Sequence, residues 1–200
     1  AGNKKVIDFL IEGGLDGILV LGSAGEFPDL NEQERLDFFR FYAEYVNGRV
    51  ELLAGTGCIR YADTLALSNA VYELGYTPMV ISPYYFEMDQ EKLFVYYDRL
   101  AKDVKGDLYL YNFPPRTGHS IAPETIRRLI DVNPNIIGLK DSVSTPGHTN
   151  MVCRAVEGKP FTVYSGFDDQ FLSNIANNGG GGGIGALSII VPEIWSSLVK

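Results

Sequence analysis

The stretch NPNIIGLKDS (133–142) closes an apolar run on a lysine. Ile136, Ile137 and Leu139 are residue types of a parallel strand covered on both faces. An ammonium placed there must reach water, pair with an anion, or lose its proton. In the third case Lys140 becomes a nucleophile. In the plainer alternative it ends the strand and extends its head outward into solvent. The choice turns on what the rest of the chain brings to the same place.

The elements that must position this lysine alternate regularly. LDGILVLG (15–22) reads as a strand and NEQERLDFFRFYAEYV (31–46) as an amphipathic helix opened by Asn31 and an acidic first turn. Strand-like VELLAG (50–55), PMVISP (78–83), DLYLYNF (107–113), NIIGLK (135–140), FTVYSG (161–166) and GGIGAL (182–187) follow. Helical patterns cover 61–75, 90–104, 123–132, about 147–157, 168–177 and 192–200, and a further helix, 4–14, precedes the first strand. Alternation of this kind predicts βαβ units and a parallel sheet. Supplying the strand that helix 4–14 lacks makes eight units. The expected fold is α/β, a TIM (β/α)8 barrel whose first strand is missing from this chain. Residues 1–200 are expected to form one domain, truncated at both ends. An open doubly wound sheet is the alternative, but no strand–GxGxxG–helix arrangement supports it.

A barrel of this type carries its chemistry at the C-terminal ends of its strands. Those ends read GSAGEF (22–27), YNFPPRTG (111–118), LKDS (139–142), YSGFDD (164–169) and GGGIGAL (181–187). Lys140 is then one of a ring of unusual residues around one mouth, which favours the nucleophile.

Composition narrows the function classes. The chain is 46% hydrophobic, enough for a sizeable core, and carries 25 acidic against 17 basic residues, a net charge of −8. No Lys/Arg stripe is present to track a phosphate backbone, so nucleic acid is not an expected partner. No apolar stretch approaches the roughly 18 residues that cross a bilayer, and AGNKK does not open like a signal peptide. Cys58 and Cys153 stand apart without ligand spacing, which fits a reduced, cytoplasmic setting. His119 and His148, the only histidines, are read as surface loop residues, and no metal site is expected. The glycine run 179–183 lacks the Lys-Ser/Thr of a phosphate cradle and is read as the close-packed entrance to the last strand.

GSAGEF, YNFPPRTG, IIGLKDS and GFDD followed by GGGGGIGAL, in this order, resemble the N-acetylneuraminate lyase and dihydrodipicolinate synthase family, barrel enzymes that form a Schiff base with pyruvate. The likeness runs over essentially all 200 residues. Its most specific part is Tyr-Asn-x-Pro with a strand-end lysine 29 residues after the tyrosine. The resemblance implies that Lys140 attacks the ketone of a 2-oxo acid and loses water to give an iminium, an electron sink for making or breaking a carbon–carbon bond. No separate cofactor is then needed. It implies that Tyr111 shuttles protons, linked to Ser23 and to Tyr85, whose counterpart often reaches in from a neighbouring subunit. Gly22 and Gly25 allow a tight turn whose N–H groups, around Ala24 and Gly25, can face a carboxylate. The family usually has a second hydroxyl residue where Ala24 stands, and commonly an asparagine where Ile189 stands. Glu26 is expected to brace the turn, and Ile184 to lie near the lysine.

Two features separate the members of the family. Arg116 resembles the arginine with which dihydrodipicolinate synthases bind a carboxylate of the second substrate, a bidentate task suited to guanidinium. Gly166, Asp168 and Asp169 match residues that contact substrate hydroxyls in sialic acid lyases, and Ser142 is a further candidate contact. Asp168 and Asp169 also suit the start of the next helix. The expected function is a pyruvate-dependent aldolase of 2-keto-3-deoxy sugar acids. The alternatives are a synthase condensing pyruvate with aspartate semialdehyde and, in another class, a silent sensor that binds a 2-oxo acid. Expected partners are pyruvate or another 2-oxo acid, an aldehyde, and further copies of the chain, a homotetramer being favoured.

Overall fold

The computed structural model of the chain describes residues 2–177 and 180–198. Helix α1 (Gly2–Glu12) leads into β1 (Gly17–Val20), then α2 (Glu32–Val46), β2 (Glu51–Gly55), α3 (Tyr61–Tyr72), β3 (Thr77–Ile81) and α4 (Gln90–Asp103). There follow β4 (Leu108–Asn112), a one-turn α5 (Pro114–Thr117), α6 (Pro123–Val132), β5 (Ile136–Asp141), α7 (Pro146–Ala155), β6 (Thr162–Ser165), α8 (Phe171–Ile175), β7 (Gly180–Gly183) and α9 (Pro192–Ser197). The seven strands pair in parallel in chain order, β1 to β7.

The two ends of this sheet approach each other. The Ser196 hydroxyl of α9 donates to the Gly13 carbonyl, just after α1, at 2.8 Å. A Cβ added to Gly13 would lie 2.5 Å from the Pro192 ring. A flat doubly wound sheet would hold its first and last helices apart, whereas a curled sheet brings them together. The architecture is that of a (β/α)8 barrel represented by seven strands, with the eighth place between β1 and β7.

Local chemistry sets the helix boundaries. Asn31 caps α2 by accepting from the Glu34 N–H, while the Glu34 carboxylate accepts from the Asn31 N–H, a reciprocal capping box. Asp89 caps α4 by accepting from the Lys92 N–H, without the reciprocal bond. One apolar core joins the outer face of β3–β6 to α4, α6 and α7 through Val80, Leu93, Leu110, Ile126, Leu139 and Val152. A second joins β1–β3 to α1, α2 and α3 around Ile7, Phe39, Ala54 and Val71.

The placement of Lys140 depends on a register shift. Leu108 of β4 is opposite Ile136, but the next residue, Tyr109, is opposite Gly138, so β5 holds one extra residue. Beyond this bulge Tyr111 pairs with Lys140, and Asn112 with Asp141. Successive strand residues face opposite sides. Tyr109, Tyr111, Gly138 and Lys140 therefore share the barrel interior, and Leu110, Leu139, Asn112 and Asp141 the outer face.

The last strand differs from expectation. It is the glycine run itself, Gly180–Gly183, with Ile184 adding one last bond to β6, and residues 185–187 lie beyond the strand; Gly179 lies outside the described residues. The reason is steric. A Cβ at Gly180 would lie 1.8 Å from the Asn174 carbonyl oxygen, and one at Gly181 2.1 Å from the Thr162 methyl. The Asn174 side-chain amide donates to the Val163 and Gly182 carbonyls and locks this bare backbone to β6.

Gly138 faces a similar constraint, since a Cβ there would lie 2.5 Å from both the Thr162 carbonyl oxygen and the Tyr109 ring. Gly138→Ala should destabilise the chain by roughly 1–3 kcal/mol or more, measured by urea unfolding. An unchanged midpoint would contradict the interior packing described.

Candidate active site

Lys140 sits near the C-terminal end of β5, only 8% exposed. Burial pushes its amine down to about 8, against the opposing pull of the Asp168 carboxylate. Its Nζ lies 4.7 Å from the centre of the Tyr111 ring. The phenol oxygen of Tyr111 is 3.1 Å from the Ser23 hydroxyl. Burial also raises the Tyr111 pKa, although Ser23, Ser142 and the Arg116 charge oppose it, so the phenol keeps its proton at neutral pH. A small apolar cavity lined by Leu19, Phe27, Met79 and Ile81 borders Tyr111. Lys140, Tyr111 and Ser23 are thus brought together.

The turn that carries Ser23 is built differently from expectation. It is a 3-10 turn, Ser23–Gly25, followed by another at Phe27–Asp29. The left-handed positions are Leu21 and Glu26, at φ 56° and 53°, rather than the glycines. The Gly25 N–H is already bonded to the Gly22 carbonyl, and the Glu26 N–H to that of Ser23. Among the described residues the Ser23 and Ala24 N–H groups, at the start of the turn, have no partner, as at any helix start. Glu26 braces the turn with its backbone while its side chain is exposed.

The other predicted residues are scattered around the same mouth. Ser142 is buried, extends the ladder through its N–H to the Asn112 carbonyl, and approaches Tyr111. Gly166 makes room for it, because a Cβ there would lie 1.9 Å from the Ser142 hydroxyl. Asp168 is half-buried and accepts from the Leu187 N–H at 3.1 Å, and Asp169 is exposed. Ile184 is half-buried in the cluster that includes Tyr111 and donates its N–H to the Ser165 carbonyl. Arg116 is exposed on α5, its guanidinium 5.9 Å from the Phe113 ring, and has no acidic partner among the described residues. Tyr85 is not brought to Tyr111 within this chain. It is 82% exposed and holds a φ of 87°, a strained value for a bulky residue.

Sequence reasoning missed several contributors. Phe113 stacks on Tyr111 at 5.8 Å, and Phe167 meets Phe113 edge-on at 6.3 Å, so the Tyr111 ring begins a row of three aromatics. The aromatic at the third position of YNFPP and the one preceding DD were the available signals. Both histidines also depart from the surface reading. His119 is buried, with Nε2 2.8 Å from the Ser82 hydroxyl and Nδ1 accepting from the Met88 N–H; it ties the loop bearing Tyr85 to the loop bearing Arg116. His148 is largely buried against Asp141. Each fills a gap between loops that an exposed histidine could not close.

Residues 1–200 match the dihydrodipicolinate synthetase family. The putative 2-dehydro-3-deoxy-D-gluconate aldolase YagE of Escherichia coli K12 is 37% identical over all of this chain and 67% of its own length. A 4-hydroxy-tetrahydrodipicolinate synthase of Kosmotoga olearia is 36% identical over 94% of this chain and 65% of its own. The crystal structure of YagE in complex with pyruvate superposes with a TM-score of 0.95 at 36% identity, covering all of this chain and 67% of that one. The chain thus spans about two thirds of the length of these relatives. With the barrel, the buried lysine and these matches in hand, the chain belongs to the dihydrodipicolinate synthetase family.

Proposed function

We propose that this chain carries the active site of a class I, pyruvate-dependent aldolase acting on 2-keto-3-deoxy sugar acids. The observation that carries this reading is a dry lysine amine with a lowered pKa beneath a protonated phenol. A neutral amine attacks carbonyl carbon, and an ammonium does not. The substrate carboxylate would rest on the free N–H groups of Ser23 and Ala24. Lys140 adds to the C2 ketone, the carbinolamine hydroxyl takes a proton through Tyr111, and water leaves to give the iminium. Tyr111 then accepts the C4 hydroxyl proton as the C3–C4 bond breaks. The bonding pair enters the iminium as an enamine, and an aldehyde departs. Reprotonation at C3 and hydrolysis release pyruvate and restore the amine. Ser23 orients the phenol, while Ser142 and Asp168 face the substrate's hydroxyls, with Asp169 and the bare backbone of Gly166 at the rim and Ile184 closing the apolar side. No cofactor beyond the lysine imine is required.

The aldolase reading draws support from the half-buried carboxylate of Asp168, a good acceptor for a polyol chain, and from the likeness to YagE. A second reading rests on Arg116: an exposed guanidinium without an acidic partner would suit the carboxylate of aspartate semialdehyde, as in a synthase. Tyr85, exposed and strained, would complete the relay of another copy in a homo-oligomer, a tetramer being the preferred form. Residues 1–200 would act as one catalytic domain. Among the described residues no helix is long and apolar enough to cross a membrane.

Borohydride with pyruvate should add a stable adduct to Lys140; a protein left unmodified would remove the Schiff-base reading. Tyr111→Phe should slow turnover roughly 10²–10⁴-fold, and an unchanged rate would take the phenol out of the relay. Arg116→Ala separates the readings: loss of turnover with aspartate semialdehyde supports the synthase, and indifference supports the aldolase. Lys140→Met tests the burial itself. The amine stands at about 8 folded against 10.5 unfolded, so the folded chain bears a buried charge below pH 8, and this burden fades between about pH 8 and 10.5. Removing it should raise stability at pH 7 by on the order of 3 kcal/mol in urea unfolding while abolishing the adduct. A destabilised variant would contradict a charged group held in a dry site.

A further inference from the structure

Directly behind the lysine, on the outer face of the sheet, lies a polar row that the proposed chemistry does not use. Asn112 and Asp141 are paired in register one step beyond Tyr111 and Lys140. The Asn112 amide donates to Asp141 Oδ1 at 2.8 Å. The Thr149 hydroxyl donates to Asp141 Oδ2 at 2.7 Å, and His148 Nδ1 lies 2.9 Å from the same oxygen. His148 Nε2 lies 3.0 Å from the Ile121 carbonyl oxygen and 3.4 Å from the Ser120 hydroxyl. The side chain of Asp141 is wholly buried and that of His148 is 17% exposed.

The partners bear on the protonation state of the ring. Both Asp141 oxygens accept hydrogen bonds, from Asn112 and from Thr149. A backbone carbonyl can only accept. The nearest atom to each ring nitrogen of His148 is thus an acceptor, Asp141 Oδ2 for Nδ1 and the Ile121 carbonyl for Nε2, an arrangement that suits hydrogen on both. A neutral imidazole would set a bare nitrogen lone pair against an acceptor oxygen, the Ile121 carbonyl in one tautomer and Asp141 Oδ2 in the other. The charged groups around the ring agree: Asp141 from β5 and Glu124 from α6 both favour the cation, as does the Ile121 carbonyl. Together they outweigh burial, so the His148 pKa is raised.

We infer that His148 is a positioning residue held as an imidazolium, and that the outer row Asn112–Asp141–His148 sets where the inner pair Tyr111–Lys140 sits. The row spans every segment that must agree. Asn112 ends β4, and its side-chain oxygen accepts the Ile121 N–H, which folds back the loop bearing Arg116. Asp141 separates Lys140 from Ser142. His148 and Thr149 belong to the first turns of α7 and bind Asp141 from outside. Loss of the cation would leave the Asp141 charge buried without its counterion and let the end of β5 shift. A displacement of about 1 Å at a reacting group slows reactions up to about 10²-fold.

This inference rests on the Schiff-base reading, and the test separates the two. The rate of borohydride trapping of pyruvate is measured against pyruvate concentration at pH 7.5. An untrapped wild type would sink the Schiff-base reading itself. Given trapping, His148→Gly should lower the saturating rate about tenfold or more, with the half-saturating concentration changed less than about twofold, because the Ser23–Ala24 turn is untouched. Added imidazole, which can take up the second proton, should restore the rate; pyrazole, the same ring held neutral, should not. His148→Gln, which fills the site without charge, should also be several-fold slow. A wild-type rate in either variant, or equal rescue by both rings, overturns the inference. Where the glycine variant fails to fold, 15N spectra of the wild type decide the charge and the glutamine variant decides the positioning: both ring nitrogens protonated at pH 7.5 supports the inference, and a neutral tautomer overturns it.

Discussion

An amine denied water is the constraint on which the rest of this structure depends. A lysine can stand at the end of an apolar strand for two reasons, and they place it on opposite faces. Here the bulge in β5 turns Lys140 inward, where it is buried over the Tyr111 ring. Desolvation then does the chemical work by favouring the neutral amine. The arrangement opposes stability and serves reactivity, which is the common compromise at a site whose group must be kept out of its preferred ionisation state.

Keeping such a group in place requires rigidity from behind. The two faces of β4 and β5 divide the labour by alternation alone: one residue in each strand faces the barrel interior, where the proposed reaction takes place, and the next faces a buried polar network. The network is polar where the chemistry is dry. Its members are satisfied by hydrogen bonds, as buried polar groups must be. Glycines make the complementary adjustments, at position 138 for the Tyr109 ring and at 166 for the Ser142 hydroxyl. The mouth is therefore shaped as much by missing side chains as by present ones.

Much of this was legible in the residues. Strand and helix alternation gave the barrel because its signal is long and repeated. The Lys140–Tyr111 pair was legible because each stands at a strand's end within a distinctive motif. Other features depend on long-range registers that periodicity does not encode. Nothing in NIIGLK marks the extra residue that orients Lys140. The glycine run became β7 because its neighbours leave no room for a Cβ, which only packing reveals. The segment 21–27 placed its left-handed residues at Leu21 and Glu26, against the local preference for glycine, which the spacing of Gly22 and Gly25 does not reveal. His148 lies seven residues after Asp141, outside any motif, and its burial follows from how α7 docks on β5.

The central claim concerns one nitrogen, and its ionisation can be observed directly. Titration of Lys140 by 15N resonance of its side-chain nitrogen, in the ligand-free protein, tests it without substrate or turnover. The account predicts a midpoint at about 8. A midpoint at the ordinary lysine value of 10.5 would mean that the amine reaches water, and would contradict it.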